Sequence, residues 1–407
     1  MAERALFSQK SWLSAFAHRD YRLLFAGTAA TQTGNWMQQV ALGWLVLDLT
    51  GSGLYLGLAG FLRSIPQLFF SIPGGILADR TDRARLLAVT QGLSALLSLV
   101  LALLIWSGRI EIWQVLLLTF LIGSAMALLF PVRQALVSTA VPRADLANAV
   151  GLNSANNNLN RTLGPALAGI LVTSVGVAAC FFLQAAGLFF AFWTSLAMRV
   201  PPQERVARPG SPLVDLAEAW AYVRGTPEVA GLLLSALVPT ALGMPYMALL
   251  PMFARDLGIG AGGLGILMTV LGVGSIAGSI AFSAAGDFRG KGRVMLLSAG
   301  AFGLALLGLA GSVTLPLTLA SLFGTGFASA IYQAANNTLL QSIVPDALRG
   351  RVLSAYILTW GVMPLGTLPL GWLADQAGAP TAVGLAGALV VLFSAAVALR
   401  LPAVRAL

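Results

Sequence analysis

The sequence predicts an all-α membrane protein with twelve transmembrane helices in two pseudo-symmetric bundles of six. Three observations predict this class: the composition, a series of long apolar stretches, and an alternation of basic loops along the chain. Of the 407 residues, 57% are hydrophobic and only 10% are charged, and the mean hydropathy is +0.84. Soluble domains average about 25% charged residues. Lipid is therefore the main solvent of this chain.

The apolar stretches are long enough to cross a hydrocarbon core, which takes about 20 residues of helix. Glycine and proline mark the turns between them, as at Gly51-Ser52-Gly53 and Ala379-Pro380. The predicted spans are 21–48, 54–77, 85–106, 112–138, 146–173, 177–198, 229–254, 262–285, 293–311, 314–341, 350–375 and 381–400.

Positive charge is concentrated in every second loop. With a cytoplasmic N-terminus, nineteen of the 24 lysines and arginines fall in inner segments, and only Arg109 and Arg255 fall in outer loops. The other three, Arg63, Arg133 and Arg161, lie within spans. The positive-inside rule therefore predicts a multi-pass protein with both termini in the cytoplasm. The same rule accounts for the net charge of +9, so we expect no nucleic-acid partner.

The longest polar segment divides the chain into halves that resemble each other. The segments "VPRADLANAVGL" (141–152) and "VPDALRGRVLSA" (344–355) align at an offset of about half the chain. Internal repeats of this kind are typical of transporters, in which the binding site lies near the midplane between the repeats. The predicted parts are a cytoplasmic amphipathic segment at 1–20, a first bundle at 21–198, a linker with a short amphipathic helix at 199–228, and a second bundle at 229–407.

A polar stripe interrupts the fifth span. On a helix, Asn153, Asn156, Asn157, Asn160 and Arg161 share one face. Lipid contact would leave their polar groups unsatisfied, so the stripe must face protein or water. Asparagines that bond across a helix interface are one reading. An arginine without a midplane carboxylate favours the other reading, a water-filled cavity.

Polar faces in other spans predict that helices from both halves line a common substrate cavity. The absence of a midplane acid beside three arginines favours an anionic or strongly hydrogen-bonding substrate over a lipophilic cation. The predicted cavity residues are Asn35, Gln38, Gln39, Arg63, Gln67, Asn153, Asn156, Asn157, Asn160, Arg161, Tyr332, Gln333, Asn336, Asn337 and Trp360.

Enzymatic and cofactor chemistry lack their usual residues. The sequence has one cysteine, Cys180, and one histidine, His18, and no carboxylate pair in the middle of a span. We therefore expect no metal site, no cofactor and no membrane-embedded enzyme. The lone G-x-G-x-x-G at 258–263 follows no strand and is interpreted as a turn.

The loop after the second span has a recognisable motif. It reads "GGILADRTDRARLL" (74–87), and "GDFRGKGR" (286–293) is a weaker copy after the eighth span. This loop resembles the signature of the major facilitator superfamily, although Asp82 replaces its usual glycine, so a side-chain cap would hold the turn. The branch of enterobactin exporters and macrolide efflux pumps is the most similar, on the segments "HRDYRLLFAG", "GNWMQQVALGWLVLDLTGS", "RTLGPALAGIL" and "LAEAWAYVRGTP".

The resemblance implies a secondary active transporter of the bacterial inner membrane, with the major facilitator fold. It implies alternating access and proton-coupled efflux of an amphipathic small molecule, either a drug or a siderophore-like product, as in drug resistance or siderophore export. We expect a monomer in the lipid bilayer. Uptake or flipping of a metabolite or lysophospholipid by the same fold is the alternative, and a non-transporting receptor is a further one.

The resemblance also implies roles for charged residues outside the cavity. It implies a gating latch between the cytoplasmic ends of the bundles. Asp48, near an outer helix end, is the best candidate for proton coupling. The predicted gating residues are Gly75, Asp79, Arg80 and Arg83, with Arg133 and Asp145 completing the network.

Overall fold

The computed structural model describes residues 13–199 and 220–407. Residues 1–12 of the predicted amphipathic segment, and 200–219 of the linker, lie outside this range. Within the described helices, the side chains at 71–76, 78–80, 129–131, 135, 346–347, 351, 354, 357 and 360 are also left out. In the described part of the chain every regular element is helical, which confirms the predicted all-α class.

The helices form twelve long passages within the described ranges, and their bounds match the predicted spans to within a few residues in most cases. Two passages are interrupted, by a π-helical and a 3₁₀ turn after α7 and by a break after α12. The helices are α1 Arg19–Thr50, α2 Gly53–Arg80, α3 Arg83–Trp106, α4 Ile112–Ala140, α5 Leu146–Ser174, α6 Val177–Leu196, α7 Pro227–Val238, α8 Leu250–Asp256, α9 Gly260–Ala284, α10 Lys291–Ala310, α11 Leu315–Ile343, α12 Asp346–Gly361, α13 Met363–Ala377, α14 Ala379–Arg400 and α15 Pro402–Ala406.

Eight of the described passages are long and apolar enough to span a membrane by length and composition. They are α3, α4, α6, α7 with α8, α9, α10, α11 and α14. Helices α1 and α5 are not among them, since the polar faces predicted from the sequence lower their mean hydropathy. Their polarity marks the elements in which a polar site is expected.

Local sequence fixes several helix starts. The Asp82 side chain accepts hydrogen bonds from the backbone N–H of Ala84 at 2.9 Å and Arg85 at 3.2 Å, and so caps α3. This confirms the side-chain cap predicted where the signature usually has glycine. Glu111 and Gln114 form a reciprocal capping box at the start of α4.

The chain divides into two compact units, the first within Met1–Thr50 and Leu62–Val206 and the second within Gly51–Phe61 and Ala207–Leu407. The beginning of α2 therefore packs in the second unit. Close backbone approach is the physical reason. A Cβ at Gly57 would stand 2.4 Å from the carbonyl oxygen of Thr367, so only glycine permits this contact.

A carboxylate holds the same contact within the second unit. Asp375 of α13 accepts hydrogen bonds from the Ser52 hydroxyl at 2.5 Å and from the N–H groups of Gly53 at 2.5 Å and Leu54 at 3.1 Å. Three donors at the start of α2 are thereby satisfied, as an N-cap residue would satisfy them. The cap comes from another helix, and the capping interaction therefore ties α2 to α13.

The first unit combines an apolar core with buried polar pairs. Tyr21, Leu87 and Leu136 are fully or almost fully buried. Between α1 and α6, the Gln184 side-chain amide donates to the Gln38 carbonyl oxygen at 2.6 Å. Buried amides of this kind must be paired within an apolar bundle. The pairing fixes the face that α1 turns toward α6.

In the second unit, two glycines of α9, Gly274 and Gly278, let α9 and α11 approach closely. A Cβ at Gly274 would stand 2.3 Å from the carbonyl oxygen of Phe323, and one at Gly278 equally close to that of Phe327. Backbone atoms cannot move aside as the end of a side chain can. The two glycines therefore set the distance between the two helices.

We expect Gly274→Ala to lower the stability of the purified protein by about 1–3 kcal/mol, because the added methyl group pushes α9 from α11. Gly300→Ala is the matched control, since a Cβ at Gly300 on α10 meets nothing within 4 Å, and alanine favours helix. Thermal unfolding in detergent measures both variants. Equal unfolding midpoints for the two would contradict the close approach of α9 and α11.

The first turn of α1 and the residues just before it are attached to the start of α5 and the turn that precedes it. The backbone N–H of Ala15 donates to Asn148 Oδ1 at 3.0 Å, and the Tyr21 hydroxyl donates to the Ala149 carbonyl oxygen at 3.0 Å. His18 Nε2 lies 2.8 Å from Asp145 Oδ2. The hydrogen bond from His18, with a further one from Ser14, lowers the pKa of Asp145 below its ordinary value.

This attachment predicts a loss of stability in acid. A carboxylate with a lowered folded-state pKa stabilises the fold fully above its unfolded pKa of about 3.9, and loses that contribution as the pH falls through the folded value. We therefore expect the wild-type unfolding midpoint to fall more steeply below about pH 4 than that of Asp145→Asn. At pH 6 the variant should unfold a few degrees lower. Identical acid profiles would contradict the stabilising role of the carboxylate.

Candidate functional site

Two polar cavities lie inside the first unit, each of about 220 Å³. Each is somewhat smaller than the roughly 300–1,000 Å³ typical of ligand pockets. The first is lined by Gln32, Asn35, Gln38, Arg63, Ser64, Gln67, Thr119, Ile122, Gly123, Met126, Ala127 and Arg133. The second is lined by Thr28, Gln32, Arg133, Gln134, Val137, Val150, Asn153, Ser154, Asn156 and Asn157.

Gln32 and Arg133 belong to both linings, so the two cavities share a wall. The Arg133 side chain is half-buried and has no hydrogen-bond or ion-pair partner among the residues that the structure describes. An arginine within a membrane helix is costly, by about 2.5–3.5 kcal/mol where it stands at the helix centre and by less toward the helix ends. The polar cavities reduce this cost because they admit water or a polar ligand.

A second guanidinium lines the first cavity and is held in place. Arg63 of α2 donates from Nη2 to Asn35 Oδ1 of α1 at 2.6 Å. A charge-assisted hydrogen bond of this length is among the stronger ones in proteins. A Cβ at Gly123 would stand 2.3 Å from the carbonyl oxygen of Arg63. Gly123 therefore lets α4 approach α2 closely at the turn of α2 that carries the Arg63 side chain.

The polar stripe of α5 has two parts with different surroundings. Asn153, Asn156 and Asn157 line the second cavity. Asn160 is buried, accepts a hydrogen bond from the Thr33 hydroxyl at 2.5 Å, and donates to Asn156 Oδ1 at 2.8 Å. The stripe therefore borders a cavity at its start and packs against α1 further on.

Arg161, which ends the predicted stripe, lines neither cavity. Its guanidinium carbon lies 6.0 Å from the ring centroid of Trp36, and the side chain is half-buried. This is a distance at which a cation and an aromatic face attract each other. Its predicted contact with substrate stays a prediction. The arginines that the structure places in the cavities are Arg63 and Arg133.

The remaining predicted cavity residues of α1 and α2 differ in exposure. Gln38 lines the first cavity although its carbonyl oxygen is bonded to Gln184. Gln67 of α2 lines the same cavity. Gln32 of α1 donates a hydrogen bond at 2.9 Å to Asn157 of α5, which lines the second cavity. Gln39 is half-buried and belongs to neither lining.

In the second unit, the predicted residues of α11 are partly engaged in packing. The Tyr332 hydroxyl is buried and lies 2.9 Å from the Ser235 carbonyl oxygen, and Asn336 Nδ2 donates to the Leu232 carbonyl oxygen at 3.0 Å. Both bonds attach α11 to α7. Gln333 and Asn337 are half-buried, and Trp360 lies outside the described side chains. A role of these five residues in a cavity stays a prediction.

The side chains of Gly75, Asp79 and Arg80 also lie outside the described part, and Arg83 beside them is half-buried. No ion pair joins Arg133 to Asp145 among the described residues, and Asp145 is bound to His18 instead. The gating roles therefore stay predictions.

Asp48, predicted to couple protons, is exposed near the end of α1. It belongs to neither cavity lining.

Several lining residues were missed in the sequence. The polar ones are Gln32, Ser64, Thr119, Gln134 and Ser154, and Arg133 was assigned to the gate rather than to the cavity. The position of Gln32, one turn before Asn35 and one turn after Thr28, carried a usable signal. The sequence around Thr119 gave no such indication, because a single hydroxyl in an apolar helix usually forms a hydrogen bond to the backbone of its own helix.

Comparison with known proteins places the chain in a family. A family model described as transmembrane secretion effector matches residues 10–407. The staphyloferrin A transporter of Staphylococcus aureus is 28% identical over 88% of this chain and 90% of its own length. The multidrug efflux pump Tap of Mycolicibacterium fortuitum is 27% identical over 95% and 96%, and macrolide efflux protein A of Streptococcus pyogenes is 23% identical over 90% and 92%.

Solved structures share the fold. A nucleoside transporter matches with a TM-score of 0.71 at 15% identity, covering 93% of this chain and 97% of its own. A bacterial homologue of the human lysosomal transporter Spinster, in an inward-facing and occupied conformation, matches with 0.73 at 16% identity, covering 93% and 96%. The resemblance predicted from the loop and helix motifs is confirmed: the chain belongs to the transmembrane secretion effector family of major facilitator transporters.

Proposed function

We propose that this protein exports an amphipathic small molecule across the bacterial inner membrane by alternating access, driven by inward movement of protons. The observation that carries the proposal is the pair of polar cavities built by α1, α2, α4 and α5 inside an otherwise apolar bundle. Relatives named as efflux pumps for drugs and macrolides and as a siderophore transporter support it.

The cavity walls fit an amphipathic ligand. Amide and guanidinium groups belong to each lining, and Ile122, Met126, Val137 and Val150 contribute apolar surface. Ligand pockets combine an apolar lining with a few polar groups that orient the ligand. A purely structural bundle has no need for two such cavities, because polar groups without a ligand or water destabilise it.

Export is supported by the relatives named as efflux proteins, and the proposed orientation and proton coupling are argued from charge placement. The basic loops favour cytoplasmic termini, and Gly75, Asp79, Arg80 and Arg83 would then latch the cytoplasmic side, with the chain acting as a monomer. Proton coupling needs a group that changes charge during the cycle. Asp48 serves this purpose in the proposal, because no carboxylate is among the described residues that line the cavities.

We expect purified protein in proteoliposomes to extrude erythromycin or 2-naphthoate when a proton gradient is imposed, and to stop when an uncoupler collapses the gradient. Asp48→Asn should reduce gradient-driven transport at least tenfold but leave counterflow of the same compound intact, since counterflow needs no proton. Asp256→Asn, an exposed acid on α8, is the matched control.

Different outcomes of this experiment test the proposed direction of transport and the proposed proton coupling. Accumulation rather than extrusion would indicate uptake and contradict the export proposal. Gradient-driven transport that is insensitive to an uncoupler would contradict proton coupling. A wild-type rate in Asp48→Asn would remove that residue from the mechanism.

A further inference from the structure

We propose that Arg63 and Arg133 form a binding site for an anionic group, so that the exported substrate is an amphipathic organic anion such as a carboxylate on an apolar body. This inference rests on the proposed export function and names its substrate class. It differs from a count of arginines in the sequence, because the geometry selects Arg63 and Arg133 and leaves Arg161 outside both cavities.

The cavity walls carry unbalanced positive charge. Two guanidinium groups belong to the linings, and no aspartate or glutamate is among the described residues that line either cavity. In surroundings of low dielectric constant, charges that face the same space interact strongly. The walls therefore favour an anion and repel a cation of the same shape.

Arg133 is the group best placed to receive the anion. It stands in the wall common to both cavities and has no partner among the described residues. A guanidinium offers five N–H donors and no acceptor. A ligand in either cavity can therefore supply the acceptor oxygens that the surrounding helices do not provide.

The wall of the second cavity also contains hydrogen-bond donors that lack acceptors in the described part of the chain. The amide nitrogens of Asn153 and Asn156 have no hydrogen-bond partner in the described part of the chain, and the Asn156 oxygen is already engaged by Asn160. Both nitrogens are covered, so they reach a ligand only after the side chains rotate. The group that would complete this wall is an acceptor, which a carboxylate supplies.

Arg63 differs from Arg133 in being positioned before any ligand arrives. Asn35 holds one of its terminal nitrogens at 2.6 Å, which fixes the guanidinium and leaves other N–H groups for the cavity. A fixed guanidinium matches the two oxygens of a carboxylate better than a flexible ammonium does. Asn35 is therefore a positioning residue for the anion site.

The test uses ligands that share a naphthalene ring and differ only in charge: 2-naphthoate, 2-naphthamide and 2-naphthylmethylammonium. Calorimetry with the full chain in nanodiscs of zwitterionic phosphatidylcholine avoids competition from anionic lipid. We expect wild-type protein to bind the carboxylate at least tenfold more tightly than the amide, and the ammonium most weakly. This comparison requires no variant.

Variants then assign the preference to residues. Arg133→Gln and Arg63→Gln should each lower naphthoate affinity at least tenfold with little change for naphthamide, and Arg133→Lys should retain part of the preference. Asn35→Ala should give a smaller loss, restricted to the carboxylate. Arg109→Gln, an exposed arginine between α3 and α4, is the control, and thermal unfolding verifies that each variant is folded.

Equal wild-type binding of the three ligands would overturn the anion site, as would a full carboxylate preference in both Arg133→Gln and Arg63→Gln. Loss of the preference only in Arg161→Gln would also overturn it, in favour of the stripe predicted from sequence. Transport of the ammonium in preference to the carboxylate would overturn the site but leave export standing. Anion binding without transport of any ligand would contradict export and leave the site standing.

Discussion

The structure depends on one constraint: inside a lipid-facing bundle, every polar group must find its partner within the protein or in an enclosed polar space. The first unit satisfies much of this constraint by pairing amides between helices, as Gln38 and Gln184 do. Between α1, α2, α4 and α5, where Arg133 has no such partner among the described residues, two polar cavities lie. The candidate functional site is thus a region in which the bundle leaves some of its polar groups to be satisfied by water or a ligand.

Glycine packing makes that region possible. Gly34 lies against the backbone of Gln184, and Gly123 lies against the backbone of Arg63, each at a distance that a Cβ would occupy. Close approach of this kind lets helices pack without large apolar side chains. The space gained at these crossings leaves long polar side chains, such as that of Arg63, free to project into the bundle.

Periodicity and charge placement predicted the helices well, because lipid imposes length and polarity on each span separately. The stripe of α5 was also predictable, since Asn153 to Arg161 share a face on any regular helix. The contacts that these side chains make could not be predicted. Whether Asn160 packs and Asn157 borders a cavity depends on the rotation of α1 against α5, which is fixed by Thr33 and Gln32 across the interface. No pattern within one helix records that rotation.

The sequence and the structure select different arginines as candidates for ligand binding, because contacts between helices are not recorded in any one helix. Arg161 stands among asparagines in the chain, so its neighbours in sequence suggested a cavity. Its guanidinium instead lies beside an aromatic ring, where its charge is partly compensated. Arg133 stands among apolar neighbours in the chain, yet it faces polar groups from α1 and α5 across the bundle. Because an uncompensated charge is the one able to attract a ligand, the partners supplied by other helices, rather than neighbours in sequence, decide which arginine can bind.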